Sequence, residues 1–275
     1  MVAGCGMIEV ESTWKDREVV IDGADNGNEW ENARYFFDEA KITLGILNDE
    51  SHLYIRLSTR GRALQRRVLS KGITLWFDGN GGKKKKLGIR YPLGRQGADG
   101  PPQMMSGRPG AIDTTSVASI NENMQATLAV LSLNAEIQGS GVKGFTKVSI
   151  TRMEKQGIIT GIGYDKGNLV YELSLPLRSN EDTPYGICDK ATETIGIGIE
   201  IDAPDIQAFQ SEQSSGGSGG MSREPGVGEF GGRGGLDGSG GMGGRGMRRP
   251  QSRMRPQIVE PIEMWLKTIL IARNE

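Results

Sequence analysis

Side chains able to do covalent chemistry are few. The chain of 275 residues holds one histidine, His52, and two cysteines, Cys5 and Cys188. A nucleophile–base–orienter arrangement needs an imidazole or equivalent base beside a hydroxyl or thiol, so here it would depend on His52 alone. That residue stands in "NDESHLYIRL" at the start of a strand, where a solvent-facing turn residue is expected rather than a catalyst. Two thiols and one imidazole cannot build a Cys/His zinc site. Carboxylates are spread along the chain, and spacing singles out no pair for acid–base work. "GSGVKGFTK" has glycines and lysines without the spacing of a phosphate loop. The sequence predicts a protein that is not an enzyme.

Oxygen donors gather in one stretch, "DGADNGNEW". Close-spaced carboxylates and amides suit Ca²⁺, which makes Asp22, Asp25 and Asn28 candidate calcium ligands. Their spacing is not that of an EF-hand loop, and an Asx-rich turn after a strand is the preferred explanation. Lys83–Lys86 could be read as a nucleic-acid contact. A lysine-laden exposed strand that resists edge pairing explains the run as well. A net charge of −1 argues against nucleic acid as a partner.

Val2-Ala3-Gly4-Cys5 has the form of a bacterial lipobox, in which an apolar and two small residues precede a cysteine that becomes diacylated. Only Met1 stands before it here, whereas a secretory signal carries a basic region and an apolar stretch of roughly 7–15 residues. No run approaches the ~18 apolar residues of a membrane span. The expected membrane link is therefore a lipid on Cys5, each buried CH₂ contributing about 0.8 kcal/mol.

The elements that would position these residues read as strands. "REVVIDG" is expected as a strand ending in a turn, and "KITLGILNDESHLYIRLST" as a hairpin around "NDES". Leu53, Ile55 and Leu57 alternate with Tyr54, Arg56 and Ser58, which buries one face. "GITLWFDGNGGKKKKLGIRYPL" is a second hairpin turning at Asp78–Gly82, with Lys83–Lys86 beginning the return strand. Met124, Leu128 and Leu131 fall at helical spacing. From "TKVSITRMEKQGIITGIGYDKGNLVYELSLPL" strands are expected again, with a turn at "YDKGN" and an end at Pro176. In "TETIGIGIEID" the isoleucines at 195, 197, 199 and 201 face the core, and Gly196 and Gly198 lie opposite. Trp30, Trp76 and Trp265 are expected in the core, and Trp14 in a tether.

Between Ser211 and Pro250, sixteen of the residues are glycine, a composition that cannot bury enough apolar surface to offset its ordering entropy. "IEMWLKTILIARNE" follows and is expected to pair back into the same sheet, making the Gly-rich stretch an internal loop. The organisation read from sequence is thus a lipobox remnant and tether over 1–16, then one all-β antiparallel sandwich over 17–275. That domain carries about eight to eleven strands, one short helix, and Gly/Pro/Arg/Met-rich disordered insertions at 93–112 and 211–256.

The order "VIDGADNGNEWENA", "AKITLGILNDESHLYIRLST", "GITLWFDGNGG", "LVYELSLPL", "IGIGIEID" resembles the superfamily of family 9 carbohydrate-binding modules and DOMON-like domains. Ile21, Asp22, Gly23, Trp30, Asp49, Leu53, Tyr54, Asp78, Tyr171, Glu172 and Pro176 carry the resemblance. It implies a β-sandwich in an extracytoplasmic setting: a lipoprotein of the periplasm, outer membrane or cell surface that binds a glycan or another small ligand. Sugar-binding members clamp a pyranose between exposed aromatic faces, and no second aromatic completes such a clamp here. Several members hold calcium. Another branch holds b-type haem between Met and His or Lys, but here many methionines, among them Met104, Met105, Met221 and Met242, fall in the insertions. The haem-binding electron-transfer domain and a structural module of the cell envelope are the alternatives.

Overall fold

A computed structural model describes residues 7–24, 28–94, 117–139, 141–181, 183–188, 192–203 and 260–273. The strands are β1 (Ile8–Glu11), β2 (Thr13–Trp14), β3 (Arg34–Phe37), β4 (Ile42–Asn48), β5 (His52–Thr59), β6 (Thr74–Asp78), β7 (Leu87–Arg90), β8 (Asn134–Gln138), β9 (Thr146–Ser149), β10 (Ile159–Asp165), β11 (Asn168–Pro176), β12 (Thr194–Ile201) and β13 (Ile262–Ile269). The helices are α1 (Arg62–Lys71), α2 (Val117–Leu131) and α3 (Ile150–Lys155), with a single 3-10 turn at Asn28–Trp30. The fold is an all-β sandwich. One sheet has the order β1-β13-β12-β6-β7-β8-β9 and the other β10-β11-β5-β4-β2, with β3 also pairing β4. All pairings are antiparallel except β1 with β13 and β2 with β4.

Alternation decides which side chains meet between the sheets. From one sheet come Leu44, Ile46, Leu53, Ile55, Tyr171 and Leu173; from the other, Leu75, Phe77, Ile89, Ile195, Ile197 and Ile199. The isoleucine face of β12 is buried as its alternation requires, and Met124, Leu128 and Leu131 turn α2 toward this same core. The hairpins turn where expected. Lys166 and Gly167 take positive φ, 48° and 84°, in the β10–β11 turn. Strand β13 pairs back onto β12 with Ile201 opposite Ile262, as expected of an internal loop.

Several expectations are corrected. Residues 8–14, expected within a tether, are strands: β1 adds to β13 and β2 to β4, and Ser12 sits where the chain crosses between sheets. The Ser12 hydroxyl bonds Asn48 of one sheet and the Ile269 carbonyl beside the other. "REVVIDG" is not a strand; it runs irregularly across the outside of a sheet, where Val19 and Ile21 pack on Trp30. Helix α1 was not foreseen, because its arginines hide the spacing of Leu64, Val68 and Leu69, which are all buried. α3 replaces part of an expected strand. The described strands number thirteen rather than eight to eleven. Trp30 is fully buried as expected, but in a small cluster outside the sandwich interior. Trp76 and Trp265 also lie on an outer face, where their rings cover Gly88 and Gly198, and Trp265 is half-buried. Lys83–Lys86 precede β7 instead of beginning it. Lys85 reaches Glu200 at 2.7 Å and lies 5.2 Å from the Trp76 ring centre, and Lys86 lies 3.4 Å from Asp78. Of the 93–112 insertion only Leu93 and Gly94 are described, and 211–256 lies outside the described residues. The chain divides into a unit of residues 1–204 with 259–275 and a second of 205–258, the latter wholly outside them.

Candidate functional site

The outward face of the second sheet is built from rows set by strand register. One row runs Arg34, Gly45, Arg56, Glu172 and Gly161 across β3, β4, β5, β11 and β10. The next runs Phe36, Thr43, Ser58, Val170 and Gly163. The irregular segment before the 3-10 turn covers part of this face. Gly23, at φ 73°, lies so close over Gly161 and Gly163 that a Cβ on Gly163 would sit 2.4 Å from the Gly23 carbonyl oxygen. Trp30 lies over Gly45, where a Cβ would meet the indole at 2.7 Å. Glycine at both places lets chain and ring seat against the sheet.

Glu172 fastens that covering segment. Its Oε2 accepts the backbone N–H groups of Asp22 at 3.0 Å and Gly23 at 2.8 Å, and its Oε1 lies 3.8 Å from Arg56 Nε. Only 1% of Glu172 and 4% of Arg56 are exposed. Burial pushes the Glu172 carboxyl up to about 7, against the opposing pull of the Gly23 amide, the Arg56 charge and the Asp22 amide.

What the segment leaves uncovered is an open depression of about 530 Å³. Thr43, Gly45 and Ser58 line it together with Arg56, and the buried Trp30 borders it. Arg34, Phe36, Lys41 and Arg60 also line it, as do Thr59, Gly61 and Asn168. Phe36 is 64% exposed, an aromatic face open to solvent. Arg34 Nε donates to the Trp30 carbonyl at 3.2 Å, and Lys41 pairs with the exposed Asp38 at 2.6 Å. A second, shallower depression of about 720 Å³ lies around Trp14, Lys15, Asp49, Glu50 and Arg273, with mixed charge.

Among the residues carrying the sequence resemblance, the described side chains mostly build framework. Asp22 Oδ1 accepts the Ala24 amide at 2.8 Å in an Asx turn. Asp49 closes the β4–β5 turn through the Ser51 and His52 amides, and its other oxygen takes the Tyr54 hydroxyl and the Lys15 ammonium at 2.6 Å. Burial alone would raise the Asp49 carboxyl; those four partners together hold it below the usual carboxylate range. Asp78 closes the β6–β7 turn through the Asn80 and Lys84 amides. His52 is half-buried, with Nδ1 2.8 Å from the Ser51 hydroxyl.

Of the candidate calcium ligands, Asp25 and the Asn28 side chain lie outside the described residues, as does Cys5. Among the described residues no group of three His, Cys, Asp or Glu side chains could hold a metal ion. Cys188 is a buried thiol. Sequence reasoning missed the depression. The alternation of "HLYIRLS" did place Arg56 and Ser58 outward, but which face of which strand they would share with Arg34 and Phe36 is a matter of register.

No protein-family model matches the chain, and no curated protein matches it. Among solved structures it is similar to a carbohydrate-binding module of family 9 from Caldicellulosiruptor kristjanssonii in complex with glucose. That likeness has 9% identity and a TM-score of 0.41 over 97% of each chain, a degree of similarity that carries no argument on function.

Proposed function

We propose that the protein is a non-catalytic binding module that takes a glycan or another small polar ligand on the outer face of its second sheet. The observation that carries this reading is the depression beside Trp30, which combines an exposed aromatic, Phe36, with the hydroxyl-bearing Thr43 and Ser58 and a set of cations on a well-packed scaffold. An aromatic face stacks on the C–H face of a sugar ring, and convergent polar groups take its hydroxyls. The reading invokes no cofactor. It extends to the setting: Val2-Ala3-Gly4-Cys5 supports acylation of Cys5 and a place on the outside of a bacterial cell membrane, with lipid as the only membrane contact. The binding claim is tested by screening the folded protein on a glycan array and measuring any positive by calorimetry. A hit weakened at least tenfold by Phe36→Ala, with an unchanged melting midpoint, supports it. A folded protein that binds nothing on the array, or a hit indifferent to Phe36, overturns it.

A further inference from the structure

Resting on that binding reading, we propose that the ligand is an anionic sugar, one bearing a carboxylate or a sulfate. Four cationic side chains, Arg34, Lys41, Arg56 and Arg60, line the depression, and among the described residues no aspartate or glutamate does. The neighbouring carboxylates, Glu172 and Asp38, are already committed or lie outside the lining. Glu172 holds the Asp22 and Gly23 amides. Asp38, the partner of Lys41, is 76% exposed, and a surface pair of that kind contributes ~0–1 kcal/mol and exchanges readily. Among the described residues neither Arg34 nor Arg60 has a carboxylate partner, and Arg34 spends only its Nε–H on the Trp30 carbonyl. Its terminal nitrogens keep the planar fork that grips an oxyanion with two parallel bonds. Arg56 has Glu172 beside it and Lys41 has Asp38, but Arg34 and Arg60 add positive charge that no described carboxylate offsets, and an oxyanion meets that charge.

The spacing also fits a sugar better than a bare anion. The arginine row (Arg34, Gly45, Arg56) and the aromatic–hydroxyl row (Phe36, Thr43, Ser58) are two residues apart on the same face. Strand rise puts them roughly 7 Å apart, about the distance across a pyranose ring to its exocyclic acidic group. Between the two arginines the floor is the Trp30 indole, seated over Gly45. The ring then stacks on Phe36 while its acid reaches the arginines.

The test titrates the full chain with three oligosaccharides of equal length: an oligogalacturonate, a sulfated oligosaccharide and a neutral oligogalactoside, at low and high salt. One acidic ligand is expected to bind at least tenfold tighter than the neutral one at low salt and to weaken as salt rises. Whichever acid binds tighter identifies carboxylate or sulfate as the recognised group. The double variant Arg34→Gln/Arg60→Gln should weaken that ligand at least tenfold, and Arg60→Gln alone should weaken it with the melting midpoint unchanged, whereas Arg34→Gln also gives up the bond to the Trp30 carbonyl. Equal binding of the neutral sugar, sensitive to Phe36→Ala, overturns the anionic ligand and leaves the binding module standing. Acid binding that falls with salt yet ignores the double variant is diffuse electrostatics and overturns the inference. Failure of all three sugars, and of the array, removes both readings together.

Discussion

Glu172 shows what a single buried carboxylate can do. It ties an irregular segment to a sheet through two amides and neighbours an equally buried arginine. Removing such a charge from water is costly, and partners repay it only in part, which is why burial moves its pKa upward to about 7. The sign of the pH dependence follows. The folded state keeps the proton up to about 7, whereas an unfolded glutamate releases it near 4.5. This group's contribution to stability is therefore complete below about pH 4.5 and is lost as pH rises through 7. Between pH 5 and 8 the melting midpoint should fall more steeply in the wild type than in Glu172→Gln, whose amide has no proton to lose. Parallel curves would refute the shift. Asp49 has the opposite sign: its stabilising bonds are present above the ordinary aspartate range and are lost as pH falls.

At the scale of elements, glycine and tryptophan work in pairs. Gly45 lies beneath Trp30, Gly88 beneath Trp76 and Gly198 beneath Trp265, so three indoles lie flat on outer faces instead of entering the interior. The β12–β13 hairpin is the other element-scale feature, because Ile201 pairs with Ile262 across the ends of a long excursion. Arg67 on α1 bonds the Asp202 carbonyl at 2.7 Å and also bonds the Glu260 carbonyl, so one guanidinium clamps both ends. The closure of this hairpin is thus built into the sandwich. Replacing residues 204–259 by a short Asn-Gly-containing turn should leave the circular dichroism spectrum unchanged and the melting midpoint equal or higher, since a shorter loop costs less entropy to close. A drop of more than about 5 °C, on the order of 1 kcal/mol or more for a domain of this size, would show that the excursion contributes to the fold.

For the whole molecule the question is where it works. No described helix is long and apolar enough to cross a membrane, and the proposed anchor is chemical. Protein expressed from its native locus should partition into detergent and carry the mass of acyl chains on Cys5. Cys5→Ser should return it to the aqueous phase, with the sandwich intact. An unmodified, aqueous wild-type protein would make the four residues a coincidence and leave the fold and the outer-face depression unaffected. The arrangement of the two sheets has a functional consequence as well. The core takes one face of each sheet, so the opposite faces can be specialised: one carries aromatic–glycine pairs under lysine and arginine, the other a partly covered platform with an open end.

The sequence by itself determined the fold class, the main hairpins, the inward faces of β5 and β12, the return of the last strand and the helix over Met124–Leu131. These follow from local chemistry: period-two alternation, turn residues tolerant of positive φ, and helical spacing of apolar residues, all readable within a dozen positions. It misjudged segments whose state is decided by distant partners. Residues 8–14 are strands because β13 and β4 offer free edges, and α1 is a helix because its leucines and valine meet a core assembled from elsewhere. The candidate site was legible only in fragments: Arg56 and Ser58 as outward residues, Asp22 and Glu172 as members of separate motifs. Only the tertiary structure joined Glu172 to the Asp22–Gly23 amides across some 150 residues and set Arg34, Phe36 and Arg60 around one depression. Side-chain alternation fixes which face a residue takes, but the register between strands far apart in the chain fixes which residues share it, and that register comes from packing.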